Sequence, residues 1–457
     1  MKTMYLLLLF VSGLGFAGTP FEIKPDKDEK VEGTYSAVLG NATVHVVMTK
    51  NSVSKNFTVT PYHLDDRSEV KALDPFVSKI QFEIASYHRN GETFTLVLYS
   101  SEKKTISILD YDLRSGSFTV GNEEQKLPYD NLFRLSDKTV LVEFNKKTNE
   151  LEVKTITTGG KAVLTTIKAS ADTAKAFRKL SFAKPEAVNQ QEFVKNGSIA
   201  PAKGYITRNA IIYTLSDSKE TETFLFDLVE KKLAHSTIAL DFPSEVRKTA
   251  DYVIDDKLAV VGIDKNEVTM KVFDLDRGEA VRQFSLSDVK INPDAYSEYL
   301  KQVVKSNIAA TVTVNKMRSG DLAVRIDRVD RNEYNYNHDW WHFQWFMQQM
   351  MWQQQMMRQQ QMSMPRGFGP AHPADAEIDI VSEKTRAIEF TVSADFTQIG
   401  TDKSETLFPD VDKERYLDKY KDDKSKREFS AEFTNGEFRS VFFDNKTKTV
   451  KIVSEKM

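Results

Sequence analysis

The stretch FDLVEK (Phe226–Lys231) returns as FDLDRG (Phe273–Gly278), 47 residues on when counted from Asp227 to Asp274. A third copy, YDLRSG, covers Tyr111–Gly116. Each has an aromatic residue, then Asp, then Gly or Lys four positions after the Asp. A carboxylate at that place bonds forward to backbone N–H groups and closes a turn, while Gly at the far end takes positive φ without strain. Looser copies are FNKKTN (Phe144–Asn149) and FDNKTK (Phe443–Lys448), and VSEKTR (Val381–Arg386) keeps only the spacing. The motif reads as a hairpin turn whose aromatic residue enters the core. Its aspartates, Asp274 and Asp276 included, read as structural rather than metal-ligating.

The runs on either side of these turns alternate apolar and polar residues, as in FTLVLY (Phe94–Tyr99), AIIYTL (Ala210–Leu215) and LAVVGI (Leu258–Ile263). Such runs, rich in Val, Ile, Thr, Phe and Tyr, are strand signals. An interval of 47 residues is the size of one four-stranded propeller blade. Grouping the strands gives seven units, on residues 34–64, 79–121, 131–158, 204–241, 251–287, 308–392 and 428–454. Each unit can bury its apolar face only by stacking on neighbours, and closing the array protects its edges.

This strand–turn–strand pattern resembles degenerate β-propeller repeats of the WD40-like and quinoprotein-like group. The resemblance covers most of the chain, but there is no recurring Trp-Asp dipeptide and no regular tryptophan docking motif, so no functional residue is carried over from it. The expected fold is all-β: a β-propeller of about seven degenerate four-stranded blades with a few short helices. Tandem β-sandwiches are the alternative that the same alternation permits. Helices are expected over Ser170–Leu180, Asn292–Ser306 and Asp410–Lys421, as connections between blades.

The first residues, MKTMYLLLLFVSGLGFAGTP, combine a basic start, a short apolar core from Tyr5 to Val11, and small residues at Gly15 and Ala17. They read as a secretory signal peptide over residues 1–17, in the bacterial style, because the apolar run is well short of the roughly 20 residues of a membrane span. No later stretch is long and apolar enough to span a membrane. The chain has no cysteine, so a secreted form has no disulfides and rests on its core. With 63 basic and 66 acidic residues, the net charge of −3 lacks the basic excess that nucleic-acid binding requires.

One segment stands apart. NHDWWHFQWFMQQMMWQQQMMRQQQMSMPRGFGPAHP (Asn337–Pro373) holds all four tryptophans and seven of the thirteen methionines. It divides the propeller into residues 18–336 and 374–457, and RIDRVD (Arg325–Asp330) and EIDIV (Glu377–Val381) can pair as its flanking hairpin. From Trp340 to Met357 there is no Asp, Glu, Lys or Arg. As a helix, it would set Phe343, Phe346, Met347, Met350 and Met357 on one face, and Trp341, Trp345, Trp352 and Met356 on the opposite one. Two apolar faces ask for two coverings.

Four readings of this segment compete. One is a disordered low-complexity insertion. A second is a protein-binding element, with Trp341, Trp345, Trp352, Phe343, Phe346, Met347 and Met350 as partner-binding residues. A third is contact with a membrane surface, which lacks a basic face. The last is copper capture by Met347, Met350 and Met351 with His338 or His342, soft sulfur suiting Cu(I).

Signatures of catalysis are missing. His338 and His342 stand four apart but lack the Glu of a zinc-protease helix, and neither a nucleophile elbow nor a phosphate loop occurs. The pairs Asp65–Asp66 and Asp255–Asp256 fall in expected loops, where solvated charge outweighs a glycosidase carboxylate pair. The sequence therefore points to a secreted or periplasmic binding and scaffold protein that needs no cofactor and has a protein partner. A carbohydrate-active or carbohydrate-binding propeller is the alternative class, and a periplasmic copper-binding protein the second.

Overall fold

In a computed structural model, the described residues are 20–103, 105–121, 129–190, 194, 197–207, 209–288, 293–331, 387–400, 405–407, 423, 425–434 and 436–456. The 337–373 insertion, the VSEKTR copy and the expected helix at Asp410–Lys421 lie outside them. Two compact units divide the chain: Met1–Lys126 with Thr158–Gly160 and Val411–Met457, and Leu127–Thr157 with Lys161–Asp410.

The first unit carries three sheets. One joins β1 (Phe21–Ile23) to strands from the other end of the chain, in the order β1-β30-β29-β28, where β28 is Lys426–Thr434, β29 Glu437–Asp444 and β30 Thr449–Lys456. The next is β2 (Glu29–Leu39), β3 (Ala42–Asn51), β4 (Phe57–Leu64) and β5 (Val70–Ala72), with β6 (Phe76–Ser78) also on β4. The third is β7 (Glu83–Asn90), β8 (Thr93–Ser100), β9 (Thr105–Asp112) and β10 (Phe118–Gly121).

Four sheets form the second unit. The first is β11 (Asn131–Arg134), β12 (Lys138–Asn145), β13 (Glu150–Thr157) and β14 (Lys161–Lys168). Helix α1 (Ala174–Ala183) leads to a sheet of β15 (Glu186–Ala187), β16 (Ala202–Ile206), β17 (Ala210–Ser216), β18 (Glu220–Asp227) and β19 (Lys232–Ala239). Next come β20 (Lys248–Ile254), β21 (Lys257–Ile263), β22 (Val268–Asp274) and β23 (Ala280–Ser285). After α2 (Pro293–Val303) follow β24 (Ile308–Lys316), β25 (Leu322–Asp330), β26 (Ala387–Val392) and β27 (Ile399–Gly400). All pairs are antiparallel except β15 with β16.

Within each unit the sheets stack, and the inner sheets have neighbours on both faces. On β3, Val44 and Val46 join one apolar cluster with Leu96 and Leu98, while Val47, pointing the other way, joins Val441 and Ile452 in another. In the second unit Ile211 packs with Val153 and Phe177, and adjacent Ile212 packs with Val260 and Tyr252. Successive strand side chains point to opposite faces, so these sheets are buried on both. A two-sheet sandwich leaves one face of each sheet in water, which excludes the sandwich alternative. Burial also falls from the first strand of a sheet to the last: β24 is buried through eight of its nine residues, while β23 is exposed through its first four. Meandering four-stranded sheets, burial that fades outward, and a sheet made from both ends of the chain define an all-β, propeller-like repeat protein.

Three sequence expectations need correction. Besides β24, strand β25 pairs with β26, which sets Arg325–Asp327 of the expected hairpin opposite Ala387–Glu389, while EIDIV at Glu377–Val381 lies outside the described residues. Helix α1 begins at Ala174, because Ser170 and Thr173 first form a turn in which the Ser170 hydroxyl accepts the Thr173 N–H. The third unit extends past residue 158, to β14, and the seventh takes its fourth strand from β1.

Candidate functional site

The recurring turns come first, because they decide what the aspartates are free to do. In every readable copy the Asx Oδ1 accepts two N–H groups, from the second and third residues after it. Asp112 takes those of Arg114 and Ser115, Asp227 those of Val229 and Glu230, and Asp274 those of Asp276 and Arg277. Asn145 and Asp444 do the same. The fourth residue after each takes positive φ: Gly116, Lys231, Gly278, Asn149 and Lys448. The FDL copies have one further bond. The N–H of the following leucine, at Leu113, Leu228 and Leu275, reaches the carbonyl of Glu92, Asn209 and Asp256 in the hairpin two strands away. These carboxylates are consumed by structure. Lys451 and the turn amides hold Asp444 down at about 2.

Three of the four expected loop carboxylates are engaged as well. Asp65 accepts the N–H groups of Arg67 and Glu69. Asp255 pairs with Lys316 at 2.8 Å and Asp256 with Lys257 at 2.6 Å.

The main feature of the second unit was not anticipated. The connection from α1 to β16 does not run over the outside. Its described residues pass along the first strand of each of the four sheets in turn. Asn131 of β11 donates its side-chain amide to the Pro185 carbonyl at 2.7 Å. Glu186 and Ala187 then pair in parallel with Lys203 and Gly204 of β16. Gln190 donates to the Val253 carbonyl of β20 at 2.5 Å. The side chain of Asn315, on β24, accepts the Val194 N–H and donates to the Val194 carbonyl, both at 2.9 Å. Gly197 lies so close to β24 that a Cβ there would stand 2.8 Å from the Val312 carbonyl oxygen. The belt closes on itself where the Ser198 hydroxyl donates to Glu186 at 2.6 Å.

Beneath the belt, β16, β17 and β20 share a buried ion pair. Lys203 Nζ donates to Asp251 Oδ1 at 2.6 Å, with the side chains only 5% and 1% exposed, and the Thr214 hydroxyl donates to Asp251 Oδ2 at 2.6 Å. A buried pair of this kind survives only when its remaining bonding capacity is met, and here three strands of two sheets meet it.

In the first unit, Ser36 Oγ lies 2.9 Å from His45 Nδ1, the arrangement of a nucleophile and its base. Ser430 donates to Ser36 at 2.7 Å, and Thr43 lies 3.3 Å from His45 Nε2. The trio of Ser36, His45 and Ser430 is 3%, 0% and 4% exposed. Burial, seconded by Arg439, pushes the imidazole down to about 3. A base must accept a proton near the working pH and reach a substrate, and this one does neither, so the cluster ties β2 and β3 to β28.

The expected partner-binding residues Trp341, Trp345, Trp352, Phe343, Phe346, Met347 and Met350 lie outside the described residues, as do the copper candidates His338, His342 and Met351. Among the described residues no three His, Asp or Glu side chains are placed to hold a metal ion, and no helix is long and apolar enough to cross a membrane. Sequence reading missed Asn315, Gln190, Lys203 and Asp251. The signal that marks them is the long connection between α1 and β16, since connections of that length are uncommon without a role, together with charges set inside the apolar runs AKGYI and ADYVI.

No protein-family model matches the chain, and a comparison with curated proteins finds no match. Among solved structures it is similar to the β-propeller domain of the Trilobed protease from Pyrococcus furiosus. Identity there is 8%, coverage 93% of this chain and 94% of that one, and TM-score 0.34. It is similar to the Dos1 propeller at 8% identity, over 96% of this chain and 94% of that one, with a TM-score of 0.31. A third similarity is to the Pyrococcus horikoshii acylaminoacyl peptidase, at 12% identity over 65% of this chain and 45% of that one, with a TM-score of 0.30.

Proposed function

We propose that the protein is an exported, non-catalytic interaction scaffold of the bacterial cell envelope, which engages a protein partner through a propeller face and the 337–373 insertion. The observation that carries this reading is the belt over β11, β16, β20 and β24. A propeller enzyme needs open first strands with free carboxylates aimed between them. In the second unit those strands are instead bridged by Pro185, Gln190, Val194 and Gly197, and Asp251 is neutralised by Lys203. Composition supports the partner element: uncharged from Trp340 to Met357, with Trp as anchor and Met as adaptable contact. Export rests on the leader-like residues 1–17.

The test is recovery of partners from envelope extract by the full chain and by a chain lacking Asn337–Pro373. Loss of a defined partner with the deletion is expected, and identical partner sets overturn the assignment to the insertion. Hydrolysis of a glycoside by the purified chain would replace the scaffold reading with the carbohydrate-active one. Cu(I) binding that disappears when Met347, Met350 and Met351 are replaced would favour metal handling.

A further inference from the structure

In the first unit, β28 runs beside β2 of the adjoining sheet. At Glu428 the register of β28 with β29 breaks between Arg427 and Ser430, which marks a β-bulge. Glu428 itself takes φ +49, a left-handed conformation that strains a non-glycine residue. Its carbonyl accepts the Thr34 hydroxyl of β2. Its side chain is half-buried, and Oε2 is screened from solvent with no hydrogen-bond partner. Glutamate has no need of such a site, and strained bulged residues gather where a structure switches or binds.

The charges around it are unbalanced. From β2 come Glu32 and Lys30, which pair with each other at 3.0 Å, and from β28 comes Arg427. Charged groups of β29 are already committed, Arg439 to Glu437 at 2.8 Å and Asp444 to Lys451 at 3.0 Å. On β3, burial keeps His45 neutral, and Lys50 stands opposite Lys30 with its ammonium over the Phe57 ring. Lys30 is shared with Glu32, and Arg427, the remaining cation, is exposed and gives Oε2 no hydrogen bond, so neither offsets the burial of an ionised Glu428.

We propose that Glu428 is a proton-operated latch at the β2–β28 seam, seated when protonated and driven outward, loosening the seam, when ionised. Burial first, and the charge of Glu32 second, push its carboxyl up from 4.5 to about 7. The sign follows from linkage. An unfolded glutamate ionises near 4.5, so between there and about 7 the folded chain holds one proton more. The seam is tightest at the acid end of that window, weakens as pH rises through it, and stays weak above it.

The experiment compares the full chain with Glu428→Gln, which keeps shape and backbone but cannot ionise. Unfolding constants are read from denaturant titrations at pH 5, 6, 7 and 8. The wild-type constant relative to the variant should rise with pH, by up to about tenfold per unit, and level off above pH 7. Glu32→Gln should move that rise to lower pH. Amide exchange at pH 8 should be faster in β2 and β28 of the wild type than in Glu428→Gln, and unchanged elsewhere. A ratio that does not vary with pH, or equal exchange in those two strands, overturns the proposal.

Discussion

Among the described residues, an Asn or Asp does the same job at six strand ends whose turns close on a positive φ. Asn51, Asp112, Asn145, Asp227, Asp274 and Asp444 each end a strand and each bind two forward N–H groups. Five of the six are legible in the sequence because the whole interaction lies within four residues. Asn51 escapes because KNSVSK has Lys where the others carry an aromatic, although Lys55 takes the same positive φ of 62°. The aromatic belongs to the core and the Asx to the turn, so the two halves of the motif can separate. That division predicts opposite signs for two neighbouring substitutions. Asp227→Ala should lose about 1 kcal/mol through its two turn bonds. Lys231→Gly, at φ +57, should gain up to about 1 kcal/mol by relieving left-handed strain. Urea unfolding of both variants measures this, and destabilisation by Lys231→Gly would refute the turn assignment. Contacts such as Asn315 with Val194, 121 residues apart, leave no local trace, and so the belt could not be read in advance.

Among elements, strands were legible where alternation is strong, and both described helices were found, since Phe177 and Leu180 in α1 and Tyr299, Leu300 and Val303 in α2 repeat at helical spacing. The segment between α1 and β16 has no such signature, because its described residues bond to four separate strands. Strands β16 and β20 are tied by the buried Lys203–Asp251 pair. Asp251→Ala would leave Lys203 charged and buried, at a cost of about 3–5 kcal/mol. The double replacement Lys203→Met with Asp251→Leu removes both charges and should recover most of that loss, though Thr214 then keeps an unpaired hydroxyl. Chemical denaturation of the two single variants and the double variant gives the coupling directly. A double variant no better than Asp251→Ala would mean that packing at β16–β20, and not the uncompensated charge, sets the cost.

Across the full chain, seven repeating units are visible in the sequence because its alternating runs group into them. How the array is completed is not visible, because the seventh unit shows only three strands and the fourth lies some 430 residues away in β1. Three residues make that strand: Phe21, Glu22 and Ile23 pair with Ile452, Lys451 and Val450. Around them Lys451 reaches Glu22 at 3.3 Å, and the Phe21 ring stands 6.3 Å from that of Tyr62. Without β1, strand β30 becomes a free edge with unpaired N–H and C=O groups, a template for pairing with other chains. A chain beginning at Lys27 should therefore melt several degrees lower, since about 1 kcal/mol moves the midpoint of a domain of 150–250 residues by roughly 2–4 °C. It should also self-associate as its concentration rises. A synthetic peptide spanning Pro20–Lys27 should bind the folded form alone, so adding it in excess should raise the midpoint again, in proportion to the logarithm of its concentration. Scanning calorimetry and sedimentation with and without the peptide make the comparison. An unchanged midpoint on truncation would show that β1 decorates the last sheet rather than completing it.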